Sequence, residues 1–239
     1  MHRWFLALLV LSCTAHVQAA PWTVRADQSI AAALSQMQAG DTLTIEEGTY
    51  DEQELHPPSG VTVQGADGHN VIIRPTGAPT IVFEFGSTHV TIRNLTIDGI
   101  AGGVTYGIYI TGTDNTIDNV TVAYPRYQGI VLFCSGPDNH QHCGHGGNVL
   151  SNVHAYGAGM GPDGCQAHGL ESPNEPGLCH GGYTYTDDNI IVGGEFDHNN
   201  GFGIQIYGFH NDIQDAYLHD NVGGAITVIG SAHIENSGL

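Results

Sequence analysis

An apolar residue followed two places later by asparagine, or by a small or polar stand-in, recurs along this chain and restricts the folds open to it more than any other feature. The copies are Ile92-Arg93-Asn94-Leu95, Ile117-Asp118-Asn119-Val120, Leu150-Ser151-Asn152-Val153, Ile191-Val192-Gly193-Gly194, Ile213-Gln214-Asp215-Ala216 and Ile234-Glu235-Asn236-Ser237. They are separated by 25, 33, 41, 22 and 21 residues. A recurrence of about 20–50 residues marks a stacked-repeat architecture, because one such unit cannot bury its apolar face alone. The two long steps then mark coils enlarged by insertions, at about 134–147 and 173–188.

A second short strand interleaves with the first, carrying Phe83 and Phe85, Ile108 and Ile110, Ile130 and Leu132, Ile204 and Ile206, and Ile226 and Val228. Its period of two points these side chains inward and leaves Glu84, Tyr109, Val131, Gln205, Tyr207 and Thr227 outside. The largest coil shows no such strand, and His168-Gly169-Leu170-Glu171-Ser172 is expected to supply it. Glycine, asparagine, aspartate and serine fill the turns, and no helical stretch separates the strands. The pattern predicts an all-β chain, a parallel β-solenoid over residues 21–239 with coils about 4.8 Å apart. The recurring asparagines are expected to form an internal column whose amides bond up and down the stack, which would shield the sequons at Asn94 and Asn119. At the N-terminal end Asp27 or Ser29 caps a short helix running to about Gln38, with Ile30, Ala33, Leu34 and Met37 on one face. The chain stops at Leu239 without a capping repeat, so truncation, self-association or a partner is expected there.

Charge narrows the function. The 239 residues include 34 glycines, 24 acids and five basic residues, all arginine, for a net charge of −19. Without lysine there is no Schiff-base or lysine-base chemistry, and a strongly acidic surface repels nucleic acid. The first 20 residues read as a signal peptide, with Arg3, an apolar run from Trp4 to Leu11, and Val17-Gln18-Ala19 at the cleavage site. No stretch is long enough to span a membrane. A secreted location follows, extracellular or periplasmic, and in an oxidising compartment Cys134, Cys143, Cys165 and Cys179 form two disulfides, with sequence proximity favouring Cys134 with Cys143 and Cys165 with Cys179. His140, His142, His145, His154, His168 and His180 crowd the same segment, so a zinc site is the alternative reading.

Ser29-Ile30-Ala31-Ala32-Ala33-Leu34, Ala39-Gly40-Asp41-Thr42-Leu43-Thr44-Ile45, Gly48-Thr49-Tyr50 and Val61-Thr62-Val63-Gln64-Gly65 resemble the opening of proteins of the pectin-lyase-like superfamily. Gly203-Ile204-Gln205-Ile206-Tyr207-Gly208 and Tyr217-Leu218-His219-Asp220-Asn221 resemble the repeats of its epimerase and lyase-like branches. The resemblance implies a single-stranded right-handed parallel β-helix with a short N-terminal capping helix. For activity it implies a polysaccharide-directed group that also contains non-catalytic members. The polygalacturonase order is not kept, because Gly144-His145-Gly146 precedes Asp187-Asp188. Where mannuronan epimerases carry Asp-Pro-His-Glu, this chain reads Val131-Leu132-Phe133-Cys134. Lyases of this fold often use lysine or arginine with calcium, and here only Arg126 and carboxylates can stand in.

The two insertions are expected to wall a groove on the outer-strand sheet. It would hold Tyr109, Arg126, Tyr127, Glu171, Gln205 and Tyr207, with His140, His142, His145, His168 and His180 at the rim. Arg126, Tyr109, His168, Glu171 and Tyr207 are the catalytic candidates: tyrosine or histidine takes a proton beside a uronate carboxylate while Arg126 stabilises the developing charge. Asp187 and Asp188 are the candidate ligands for calcium. The sequence therefore points to a secreted β-helix acting on or binding polysaccharide, in its most concrete form a lyase or C5-epimerase-like enzyme on a uronate-containing glycan. The competing class is a non-catalytic solenoid for glycan binding, adhesion or surface assembly.

Overall fold

The computed structural model describes residues 21–66, 70–78, 80–134, 144–160, 165 and 179–238. The expected signal peptide, most of the first expected insertion, residues 173–178 of the second, and His140, His142, Cys143, His168 and Glu171 lie outside them. Among the described residues every strand pairing is parallel, and the coils form a right-handed solenoid. One sheet has 14 strands. Its main path runs through β1 (Pro21–Val24), β2 (Thr42–Ile45), β4 (Thr62–Gly65), β7 (Thr91–Asp98), β9 (Thr116–Ala123), β11 (Val149–Ser151), β14 (Ile190–Val192), β17 (Asn211–Gln214) and β20 (Ala232–Glu235). Beside that path lie β3 (Gly48–Tyr50) and β5 (Val71–Ile73), and further on β12 (His154–Tyr156), β15 (Glu195–Asp197) and β18 (Tyr217–His219). The second sheet has six strands: β6 (Thr80–Phe85), β8 (Val104–Ile110), β10 (Gln128–Leu132), β13 (Gly182–Thr184), β16 (Phe202–Ile206) and β19 (Gly224–Val228).

The apolar phase of the repeat forms the core column. Ile92, Ile117, Leu150, Ile191 and Ile213 face one another in register on successive coils, and all are buried. The asparagine phase turns the chain. Asn94, Asn119, Asn152, Gly193, Asp215 and Asn236 all have positive φ, between 50° and 64°. Only glycine, asparagine and aspartate adopt that left-handed conformation at low cost, which accounts for the composition of the column. Strands β7 and β9 run straight through this corner, so both of its sides belong to one sheet.

The expectation of an internal column at this phase is corrected by the structure. Asn94 and Asn119 are half-buried, joined by one amide bond of 3.0 Å, and Asn152 is exposed. Shielding of the sequons at Asn94 and Asn119 therefore does not follow from burial. The interior ladder stands two residues ahead of the core column, at Asn115, Asn148, Asn189 and Asn211, each at most 1% exposed. Each amide donates to the carbonyl oxygen of the next, at 3.1, 3.2 and 2.7 Å, and that oxygen also accepts a backbone N–H. Buried turn backbone is satisfied in this way where no strand can reach it.

Helix α1 (Ile30–Leu34) closes the N-terminal end with Ile30, Ala33 and Leu34 in the core. Ser29 caps it, and the Glu52 carboxylate accepts the N–H groups of Ile30 and Ala31 at 2.8 and 3.0 Å. It ends short of Gln38 because the N–H groups of Gln36 and Met37 turn to carbonyls three residues back.

A second correction concerns the largest coil. Its strand in the six-stranded sheet is β13, paired with β10 and β16, and not His168–Ser172. Residues 182–184 therefore belong to the coil itself, within the stretch expected as the second insertion. Gly181 joins Gly129 and Gly203 in a column where coils approach closely. A Cβ on them would lie 2.5 Å from the Gly181 oxygen, 2.8 Å from the Gly203 oxygen and 2.6 Å from the Ala225 oxygen, respectively on Gly129, Gly181 and Gly203. Among the described residues no helix is long and apolar enough to cross a membrane.

Candidate functional site

The register of the six-stranded sheet sets Glu84, Tyr109, Val131, Tyr183, Gln205 and Thr227 side by side on consecutive coils. Their neighbours Ile108, Ile130 and Ile204 fill the core, so alternation turns this row outward, where Val131, Tyr183 and Tyr185 nucleate a second apolar cluster. Rings from four coils run together across this face. Tyr127 stacks on Tyr106 at 6.0 Å, Tyr106 meets Tyr109 at 5.7 Å, and Tyr109 meets Phe133 at 5.8 Å. Phe133 packs edge-on against Tyr185 at 4.8 Å, and Tyr185 lies nearly parallel to Tyr207 at 4.6 Å. His180 stacks on Tyr183 and Phe202 at 5.5 and 5.6 Å.

Burial sets the protonation of this face. The Tyr109 phenol is pushed up to about 12, first by burial and then by Tyr106, Glu84 and Tyr185 around it. Tyr106, Tyr183 and Tyr185 are also raised, each chiefly by burial. Burial lowers His180 to about 4, because an imidazolium there would lose its hydration. Phe202 N–H donates to His180 Nδ1 at 2.9 Å, which puts the proton of the neutral ring on Nε2. Among the described residues Nε2 has no partner of hydrogen-bonding geometry, although the Gln205 side chain interacts with the ring. Tyr183 donates to Tyr185 at 2.7 Å, and Gln205 to the Tyr207 hydroxyl at 3.3 Å. The partly exposed rings of Tyr106, Tyr109, Tyr127, Phe133 and Tyr207 thus offer faces and polar edges beside the buried Tyr183 and Tyr185. These are the means of binding a sugar, whose C–H face stacks on a ring while its hydroxyls take hydrogen bonds.

Of the sequence candidates, Tyr109 and Tyr207 share this face, together with Tyr127 and Gln205. Arg126 stands at the corner between β9 and β10, its N–H bonded to the Val104 oxygen at 2.9 Å, next to Tyr127. Tyr127 also packs against the Cys165–Cys179 disulfide, which has the expected pairing and secures that corner. Cys134 is disulfide-bonded as well. Tyr183 and Tyr185 were not legible as site residues because their strand was assigned elsewhere. The glycine pair Gly181-Gly182, aligned with Gly129 and Gly203, is the signal that marks it.

Asp187 and Asp188 lie at the corner where β13 leads to β14. The Asp187 Oδ1 accepts Phe209 N–H at 2.7 Å. Asp188 Oδ2 pairs with His145 Nδ1 at 3.0 Å, and His145 Nε2 pairs with Asp114 Oδ1 at 3.2 Å, so one imidazole links three coils. These two carboxylates raise His145. Calcium takes six to eight oxygens. Asp187 and Asp188 together carry four carboxylate oxygens, and their contacts include the Phe209 amide and the imidazoles of His145 and His210.

A family model described as a right handed beta helix region matches residues 80–238. Among solved structures, "pectate lyase Pel9A" superposes with a TM-score of 0.66 at 16% identity, covering 93% of this chain and 64% of that one. "PL6 family alginate lyase AlyGC" gives 0.42 at 9% identity over 91% of this chain and 39% of that one. The A-module of the Azotobacter vinelandii mannuronan C-5 epimerase AlgE6 gives 0.40 at 15% identity over 86% and 71%. The chain thus spans less than two thirds of the length of the first two structures, and no curated protein matches it.

Proposed function

The chain belongs to the right-handed β-helix family, and from that premise we propose that it is a secreted polysaccharide-binding protein whose binding surface is the ring-lined outer face of the six-stranded sheet. The run of rings from Tyr127 to Tyr207 over consecutive coils carries this reading. A solenoid presents such a row along its axis, matching an extended chain of sugars, and the fold is one that a pectate lyase also uses. Disulfides agree with an oxidising compartment outside the cytosol. With a net charge of −19, a uronate glycan needs a cation between it and the protein, and Arg126 or calcium at Asp187 and Asp188 is the proposed source.

Turnover as a lyase or C5-epimerase on a uronate glycan is the second form of this reading, with Arg126, Tyr109, His168, Glu171 and Tyr207 as its residues. The fold shared with a pectate lyase favours it. The Tyr106, Tyr109, Tyr183 and Tyr185 phenols are raised and His180 Nδ1 accepts the Phe202 N–H, so Tyr207, His168 or Glu171 is the proposed source of the base.

Calorimetry with oligomers of pectate, alginate and a neutral glucan tests binding. At least one ligand should bind, and the double substitution Tyr109→Ala with Tyr207→Ala should weaken it at least about tenfold. No binding to any of the three, or equal binding by the variant, overturns the proposal. Ultraviolet absorbance of unsaturated uronides, with and without calcium, then separates a lyase from a binding module.

A further inference from the structure

On the other side of the solenoid, strands β12, β15 and β18 pair with His154 opposite Glu195 and Tyr217, and with Tyr156 opposite Asp197 and His219. Ala155, Phe196 and Leu218 between them are fully buried in the core, so these residues form an outward grid two deep and three coils wide. His154 Nε2 lies 2.7 Å from Asp197 Oδ1 and 3.9 Å from Glu195 Oε2. The ligand atoms of these three residues all lie within 4.8 Å of one another. His219 Nε2 lies 2.7 Å from the other Glu195 oxygen.

We propose that His154, Glu195, Asp197 and His219 form a site for a divalent transition-metal ion of the zinc class, bridging three coils. Two imidazole nitrogens and two carboxylates are a borderline-soft donor set, suited to zinc, cobalt or nickel and poorly suited to calcium or magnesium. An ion held at about 2.0–2.2 Å separates neighbouring ligand atoms by roughly 3.3–3.5 Å. Shifts of under about 1 Å therefore bring the His154, Asp197 and Glu195 atoms to that spacing, without moving the strands.

The surroundings are those of a metal's supporting shell. Asp220 bonds His219 Nδ1 at 2.8 Å, His198 bonds the second Asp197 oxygen, Tyr156 stacks on His154 at 4.5 Å, and the Tyr217 ring lies 4.2 Å from His219. Such contacts fix the tautomer and direction of ligating side chains. Asp197 itself is only 7% exposed, and among the described residues the ion-pair partners of Glu195, Asp197 and Asp220 are imidazoles. A divalent cation would neutralise this cluster of carboxylates.

The test is calorimetry of zinc binding to the full chain after chelator treatment, with cobalt absorption as the second readout. One zinc should bind at this site and raise the melting temperature, and cobalt should give the visible bands of a low-coordinate nitrogen and oxygen site. Glu195→Gln and His154→Gln, both at partly exposed positions, should each weaken this binding at least about tenfold while leaving the circular dichroism and the metal-free melting temperature nearly unchanged. The proposal falls if zinc does not bind, if both variants bind as tightly as the parent, or if calcium binds there in preference to zinc. Loss of this site leaves glycan binding on the six-stranded sheet intact, so the two proposals fail separately.

Discussion

His180 and His219 are two histidines on one scaffold, each beside an aromatic ring, and their surroundings move them in opposite directions. His180 sits among Tyr183 and Phe202, almost wholly buried, and burial lowers it to about 4. His219 lies beside Tyr217 but bonds Glu195 and Asp220, and those carboxylates raise it. The solenoid fixes the spacing on both faces and leaves chemistry to the outward positions. Where these carry rings, the face becomes neutral and ordered; where imidazoles alternate with carboxylates, it becomes an ionic cluster poised for cations.

The largest expected difference between the faces is in stability. Tyr183→Ala removes a buried ring that contacts His180, Tyr185 and Tyr207, and should cost about 3–5 kcal/mol in urea denaturation. His219→Ala, which leaves Leu218 in the core, should cost under about 1 kcal/mol. Equal costs would mean that the ring face is as loosely held as the ionic one.

The next contrast is in acid. His180 has a folded value near 4 against 6.5 when exposed, so between these values the unfolded chain binds the extra proton and stability is lost as pH falls. The loss should reach at most about 3 kcal/mol by pH 4, and be complete below it. His180→Asn keeps an acceptor for Phe202 N–H and should remove this part of the acid sensitivity. An unchanged slope in denaturation curves between pH 7 and pH 4 would place the buried proton elsewhere.

How much of each face could be read from the sequence follows from the same difference. The rows around Tyr109 and Gln205 were legible because Ile108, Ile110, Ile204 and Ile206 alternate with them. Strand β13 was not, since Gly182 and Thr184 stand where other coils place aliphatic residues. Ile204 and Phe196 close around Gly182, and Thr184 joins the Asn189 network. The phase of the asparagine column was legible, but not its role, because left-handed backbone and buried amide ladders select the same residue. The true ladder at Asn115, Asn148, Asn189 and Asn211 carried its own signal, an asparagine two places before each core residue. Of His154, Glu195, Asp197 and His219, only His154 stood among the histidines that suggested zinc, since the four come from three coils and only strand register assembles them.

The smallest effect is the most direct test of the contrast. His219 is raised in the folded state, first by its bond to Glu195 and then by Asp220, whose own carboxyl the same contact lowers. Its stabilising contribution is full below 6.5 and is lost as pH rises through the folded value, the reverse direction to His180. Because the pair is solvent-exposed, the amount should stay under about 1 kcal/mol and shrink with added salt. Nuclear magnetic resonance in chelator-treated buffer resolves it: the His219 ring should titrate above 6.5 while the His180 ring keeps its neutral shifts until well into acid. Replacing Glu195 by glutamine should draw His219 back toward 6.5 and leave His180 where it was. If both rings titrated together, the two faces would share one electrostatic environment, and outward chemistry would not be independent from coil to coil.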